Sequence, residues 1–435
     1  MAGGFRSATN IPELRKRITF TLLMLAVYRI GVQIPTPGIN GEAMAEFFER
    51  NAGTLFDMFN MFSGGALEKF SIFALGIMPY ISASIIFQLL TVVIPQLEAL
   101  SKEGESGRRK ITQYTRYATV GLALIQGLFI SIGLESMTSQ SGGAMIVNDP
   151  GLSFRLMTML TLTSGTAFIM WIGEQMTERG IGNGISLIIF AGIVARMPAA
   201  IVNTIRMVGA GEITAIFLPI LLVMMGGVIA LIIFFETAQR RIPIQYAKRI
   251  IGRRQYGGQR THLPLKINMA GVIPPIFASS IMMFPATIGG LIQVDWVQQA
   301  AAYMQWGSLL HTLCFVGMII FFCFFYTAVT FNPVDVAENL KKNGGFIPGV
   351  RPGKKTAEFI DKIMVRLTVI GAIYVSAVCV LPTILISKLQ VPFYFGGTAL
   401  LIVVGVAIDT ISQIESHTVM RNYDGFLKTG RMKGR

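Results

Sequence analysis

The stretch GIMPYISASII, residues 76–86, decides the fold because the chain nearly repeats it as GVIPPIFASSI at residues 271–281. The two share G-x-x-P-x-I-x-A-S-x-I, six identities in eleven positions at an offset of 195. A second pair follows in the same order, GISLIIFAG (184–192) and GTALLIVVG (397–405), which share G-x-x-L-x-I-x-x-G at an offset of 213. Either match alone is within reach of chance in a chain rich in Gly and Ile. Two that follow in the same order, each pair five spans apart, are what a duplication predicts.

Composition supplies the setting. Hydrophobic residues make up 52% of the 435 and charged residues 14%, against roughly 25% charged in a soluble domain. Apolar runs long enough for a bilayer are expected at 18–35, 71–94, 117–135, 154–174, 183–202, 214–236, 268–291, 308–330, 364–387 and 394–412. The expected fold class is therefore all-α and polytopic, with ten transmembrane helices in two five-helix halves, 1–202 and 214–412. An odd number of spans per half inverts the second copy. No removable signal peptide is read in MAGGFRSATNIPELRKR. With ten spans, 30 of the 37 Lys and Arg residues fall on one face, which the positive-inside rule assigns to the cytoplasm together with both termini and the tail 413–435.

The expected path between the halves is plain. Ionisable residues within the spans, such as Arg29, Arg155, Arg196 and Asp409, fall near their ends. A proton- or ion-coupled carrier places such groups near the midplane. The repeats pair Ile81 with Ile276 and Ile189 with Ile402, which points to an apolar constriction that excludes water. Gly76, Pro79, Gly271, Pro274 and Pro275 loosen the two helices that carry the first repeat. A single Pro or Ile of this kind is as readily a packing residue.

One segment has an odd length. TLFDMFNMFSGGALEKF (54–70) places Leu55, Met58, Phe59 and Phe62 at helix period, then breaks at Ser63-Gly64-Gly65. About nine residues make roughly 13 Å of helix, against a hydrocarbon core of about 30 Å. Thr54 with Asp57 suits a capping-box-like start, Ser63-Gly64-Gly65 a flexible stop, and Asp57 and Asn60 a face toward water; the family resemblance given below makes the segment a removable stopper.

Catalytic readings find little. GVRPGKKT (349–356) has three residues between its glycines and Lys355 where a phosphate loop needs Ser or Thr. His262, His311 and His417 stand far apart in sequence, and Cys314, Cys323 and Cys379 lie in apolar runs without metal-ligand spacing. No enzyme activity, cofactor or metal is expected.

The stretches DMFNMFSGGALEKFSIFALGIMPYISASII, KEGESGRRKITQYTRY, GEQMTERGIGNGISLIIFAGIVA, THLPLKINMAGVIPPIFASSI, FFCFFYTAVTFNPVDVAENLKKNGGFIPGVRPGKKT and VPFYFGGTALLIVV resemble the SecY/Sec61-alpha family, the channel-forming subunits of the general protein translocase. The resemblance implies an hourglass channel in the bacterial plasma (inner) membrane that passes unfolded secretory polypeptides and opens sideways to lipid. It implies a constriction ring of Ile77, Ile81, Ile185, Ile189, Ile276 and Ile402. It implies a plug at 55–70 carrying Leu55, Phe56, Met58, Phe59, Phe62, Gly64 and Gly65. It also implies a lateral gate between the second and seventh spans, where Ser82, Gln88, Thr91 and Asn268 are candidates for contact across the seam. The loops 237–267 and 331–363 are the expected partner surfaces. The first carries eight basic residues with Tyr246 and Tyr256 interleaved, which suits ribosomal RNA or an acidic protein. Arg253, Arg254 and Arg351 are implied contacts for the ribosome and the SecA ATPase, with SecE and SecG as companion subunits and signal sequences as ligands. The rival class is an inverted-repeat secondary solute transporter.

Overall fold

The computed structural model describes residues 11–50, 60, 63–136, 146–211, 216–246, 249–251, 254–256, 260–291, 308–389 and 397–430. The chain divides into two compact units, residues 1–213 with 280–311 and 402–435, and residues 214–279 with 312–401.

In the first unit, α1 (Pro12–Gly31) starts at a Pro that lacks the donor a first helical turn cannot use. It begins six residues before the expected span, so Arg15, Lys16 and Arg17 ride on its first turns. The amphipathic α2 (Gly41–Arg50) follows. The expected second span is helical only over α3 (Met78–Val93); residues 71–77 form turns. Gly76, at φ +56°, takes the left-handed conformation that halts a helix from the amino side. Pro95 then bends α3 by 99° from α4 (Pro95–Lys102).

The long helices α5 (Glu105–Ser136) and α6 (Leu152–Arg179) pack as a hairpin. Ion pairs fasten it near both ends, Arg116 to Glu174 at 2.7 Å and Arg155 to Glu135 at 2.5 Å. The Glu135 carboxylate also accepts the Gly151 N–H at 2.9 Å where α6 begins. Helix α7 (Gly184–Gly209) is capped by Asn183, whose side-chain Oδ1 accepts the N–H groups of Ile185 and Ser186.

The second unit holds α8 (Phe217–Thr237), then β1 (Gln239–Tyr246), β2 (Arg249–Ile251), β3 (Arg254–Tyr256) and β4 (Arg260–Lys266). Helix α9 (Ile273–Leu291) starts here and runs into the first unit. Next come α10 (Leu309–Thr330), α11 (Pro333–Lys342), β5 (Gly345–Phe346) and α12 (Lys354–Leu389), and α13 (Gly397–Gly430) crosses back. Strand pairing is antiparallel in the order β4-β1-β5, with Ile242 opposite Leu263 and Gln245 opposite Phe346. Alternate residues Ile242 and Ile244 face a core with Leu265, Leu340, Ile347, Ile360 and Met364. The two segments 237–267 and 331–363, read from sequence as loops, thus share one sheet and one core.

Among the described residues, seven helices are long and apolar enough to cross a membrane, or eight with the bent α3–α4 pair as one span. Helices α1 and α9 stand at the remaining expected positions. The chain is an all-α polytopic membrane protein whose small sheet lies outside these helices.

The repeat is visible in the backbone itself. Gly76 and Gly271 both have left-handed φ, +56° and +63°, and a helix starts two residues after each, at Met78 and Ile273. The second pair matches as closely: α7 starts at Gly184 and α13 at Gly397. A Cβ on Gly184 would run into the Gly173 carbonyl of α6, and one on Gly397 into the Val378 carbonyl of α12. The match of Gly184 with Gly397 therefore has a steric cause, since only hydrogen fits where the starting helix touches its predecessor.

Candidate functional site

The paired isoleucines lie on helix starts fixed by that repeat. Ile77 and Ile81 are one turn apart, with the Ile81 N–H donating to the Ile77 carbonyl at 3.1 Å, and both are buried. Ile185 and Ile189 keep the same spacing on α7, so each pair presents one face of its helix. Ile189 and Ile402 are buried, while the half-buried Ile185 packs over Gly173 of α6. These five belong to the first unit; Ile276, also buried, lies on α9 in the second. Such groups offer apolar surface and no chemistry.

Of the stopper segment, Leu55, Phe56, Met58, Phe59 and Phe62 lie outside the described residues, as do Thr54 and Asp57. Its carboxyl end is well defined and differs from a loose stop. Gly64 and Gly65 take left-handed φ of +69° and +85° in a tight turn. The Gly65 N–H donates to the Asn60 carbonyl at 2.8 Å, as does the Ser63 hydroxyl at 3.1 Å. From α1, the Tyr28 hydroxyl donates to the Ser63 carbonyl at 3.0 Å and Arg29 to the Gly64 carbonyl at 2.9 Å. A Cβ on Gly64 would sit 2.8 Å from the Gly192 Cα of α7, so the turn is wedged between two helices. Asn60, expected to face water, is only 1% exposed, because its side chain is spent on Glu68.

The gate candidates make mostly local contacts. Thr91 donates to the Gln88 carbonyl at 2.7 Å and Gln88 to the Ser84 hydroxyl at 3.4 Å, both within α3; Ser82 is buried. Asn268 donates to Glu236 at 2.6 Å and to the Gly271 carbonyl at 3.0 Å, and accepts the Gly271 N–H at 3.1 Å. It ties α8 to the start of α9 inside the second unit. A contact that does join the second- and seventh-span helices is made by Ser280 on α9, whose hydroxyl points to the Met78 sulfur of α3 at 3.7 Å within the first unit.

Against this geometry the sequence model of the SecY family matches residues 71–411, most of the chain. The chain belongs to the SecY family. The protein translocase subunit SecY of Escherichia coli K12 is 52% identical over 435 residues, covering 99% of this chain and 98% of that one. Among solved structures, one described as a protein conducting channel aligns with a TM-score of 0.62 at 16% identity, covering 92% and 91% of the two chains. Another, of a SecY protein whose plug domain is described as stabilising the closed state and maintaining a membrane seal, aligns at 0.59 and 18%, with the same coverage. These two establish the shared fold.

In this SecY-family chain the basic loop residues are only partly positioned. Arg253 lies outside the described residues and Arg254 is placed as backbone in β3, which pairs with β2. Arg351 is exposed in the turn before α12, where its carbonyl accepts the Thr356 hydroxyl at 2.9 Å. Among the described residues no group of three or more His, Cys, Asp or Glu is placed to hold a metal. Sequence reasoning passed over Tyr28, Glu68, Met78 and Ser280. A Tyr beside an Arg near the end of an apolar span was the only local signal, and it named no partner.

Proposed function

We propose that this chain is the protein-conducting channel of a bacterial translocase, passing unfolded secretory polypeptides across the plasma (inner) membrane and releasing hydrophobic segments sideways into lipid. The observation that carries the reading is the four buried isoleucines at repeat-matched positions, Ile81 with Ile276 and Ile189 with Ile402, in a SecY-family chain. Ile77, Ile81, Ile185, Ile189, Ile276 and Ile402 form the constriction in this reading, an apolar ring that dewets when empty and yields to an extended chain. Two inverted halves, 1–202 and 214–412, enclose an hourglass path, and residues 55–70 are its stopper. Helices α3 and α9 form the lateral gate.

Both termini and the loops at 237–267 and 331–363 face the cytoplasm, where Arg253, Arg254 and Arg351 meet the ribosome or the SecA ATPase. SecE and SecG are the companion subunits. The sheet β4-β1-β5 supports this assignment, because it ties the base of the first loop to the second loop through one core.

The test is reconstitution in lipid vesicles with SecE, SecG, SecA and ATP, followed by protease protection of a secretory precursor. Protection that needs both this chain and ATP is expected. Solute-driven uptake by the chain alone, with no protected precursor, would replace this reading with a secondary transporter.

A further inference from the structure

The turn after the stopper segment contains a second set of contacts that the hydrogen bonds to α1 do not require. Glu68 is the first carboxylate after Asp57, and its backbone and side chain both face Asn60. The Glu68 N–H donates to Asn60 Oδ1 at 3.0 Å, and Asn60 Nδ2 donates to Glu68 Oε2 at 3.0 Å. That same oxygen lies 3.8 Å from Nη2 of Arg196 on α7. Oε2 is thus the junction of two elements: the end of the stopper segment at Asn60 and the channel wall at α7. The Leu67 N–H completes the loop by donating to Ser63 Oγ at 3.3 Å.

The two partners contribute differently. Asn60 is buried, so water can compete for its charge-assisted bond to Glu68 only from the carboxylate side. The Arg196 and Glu68 side chains are 30% and 41% exposed, so their ion pair alone is weak. Arg196 acts chiefly by holding the carboxylate turned toward Asn60. The arrangement fixes Asn60, the root of the stopper in this reading, beside α7.

We propose that Glu68 is a positioning residue for the closed channel, clasping Asn60 to Arg196 so that the root of the stopper stays against α7. The proposal rests on the stopper reading above, and the test separates the two. The readout is resting anion efflux from vesicles holding the channel with its companion subunits, without SecA or precursor. Glu68→Gln keeps the size and removes the charge. It is expected to raise efflux about fivefold, the effect of weakening one charge-assisted hydrogen bond in part. Arg196→Gln raises efflux less, Arg196→Lys restores it toward wild type, and the double variant leaks no more than Glu68→Gln, because both act through one oxygen. Glu98→Gln, which removes an exposed carboxylate paired with Lys102 elsewhere, leaves efflux unchanged.

Wild-type efflux for Glu68→Gln beside a leaky deletion of residues 55–66 overturns the clasp and keeps the stopper. A tight deletion variant overturns both. Additive effects of the two substitutions overturn the shared junction. If Glu68→Gln fails to assemble, the Arg196→Gln and Arg196→Lys pair decides alone: equal efflux from the two refutes the clasp.

Discussion

Asn268→Ala separates a cross-seam gate residue from one that secures its own unit. Asn268 is buried at 4% exposure and makes three hydrogen bonds, one of them to the Glu236 carboxylate at 2.6 Å and two to the backbone of Gly271. A bond to a charged group contributes about 1.5–3 kcal/mol and a neutral one about 1 kcal/mol. Truncation also strands the Gly271 N–H, whose acceptor is Asn268 Oδ1. A local loss of about 3 kcal/mol follows, which corresponds to roughly a hundredfold faster opening of the segment. Hydrogen exchange followed by mass spectrometry on a peptide spanning residues 268–273 reads this directly. Faster exchange there, with peptides of α3 unchanged, is the expected result. Unchanged exchange at 268–273 with faster exchange along α3 would falsify the placement, since it would mean that Asn268 spends its bonds across the seam after all.

Three further outcomes are expected. Gly184→Ala and Gly397→Ala each push a Cβ onto a neighbouring helix's carbonyl, and each should cost about 3 kcal/mol or more, read as a lowered melting temperature in detergent; if only one of the pair destabilises, the structural repeat loses its steric basis. Gly76→Ala, forced to φ +56°, should destabilise by about 1–2 kcal/mol, whereas Gly121→Ala in α5, where a Cβ meets nothing within 4 Å, should stabilise by up to about 1 kcal/mol. Cys314 is exposed while Cys323 and Cys379 are buried, so a small maleimide in detergent should label Cys314 alone in the folded chain and all three thiols after unfolding; fast labelling of Cys379 in the folded state would contradict the packing of α12.

Much of the architecture was legible in the chain because membrane helices announce themselves by length and apolarity, and nothing else in lipid satisfies their backbone. The helix starts at Met78 and Ile273 were not predicted to the residue, since the apolar runs continue upstream through Ser71 and Asn268. Backbone conformation at Gly76 and Gly271 set those boundaries. The strands of 239–266 were missed because Arg and Pro interrupt the alternation of Ile242, Ile244 and Tyr246. Their register depends on Leu340, Ile347 and Ile360, which lie far along the chain. Asn60 was assigned to water from its residue type, yet Glu68 and the turn at Ser63 enclose it.

The sequence by itself determined the membrane class, the two short repeated motifs and the isoleucines at their matched positions, all of which are read from local composition and local pattern. Only the tertiary structure decided which partners the polar groups chose: Asn268 with Glu236, Tyr28 and Arg29 with the turn at Ser63-Gly64, and Arg196 with Glu68. Burial of an apolar face depends on how often hydrophobic residues recur, which a linear chain records. A hydrogen bond depends on two groups from distant segments meeting within about 3 Å, and no single segment contains that information.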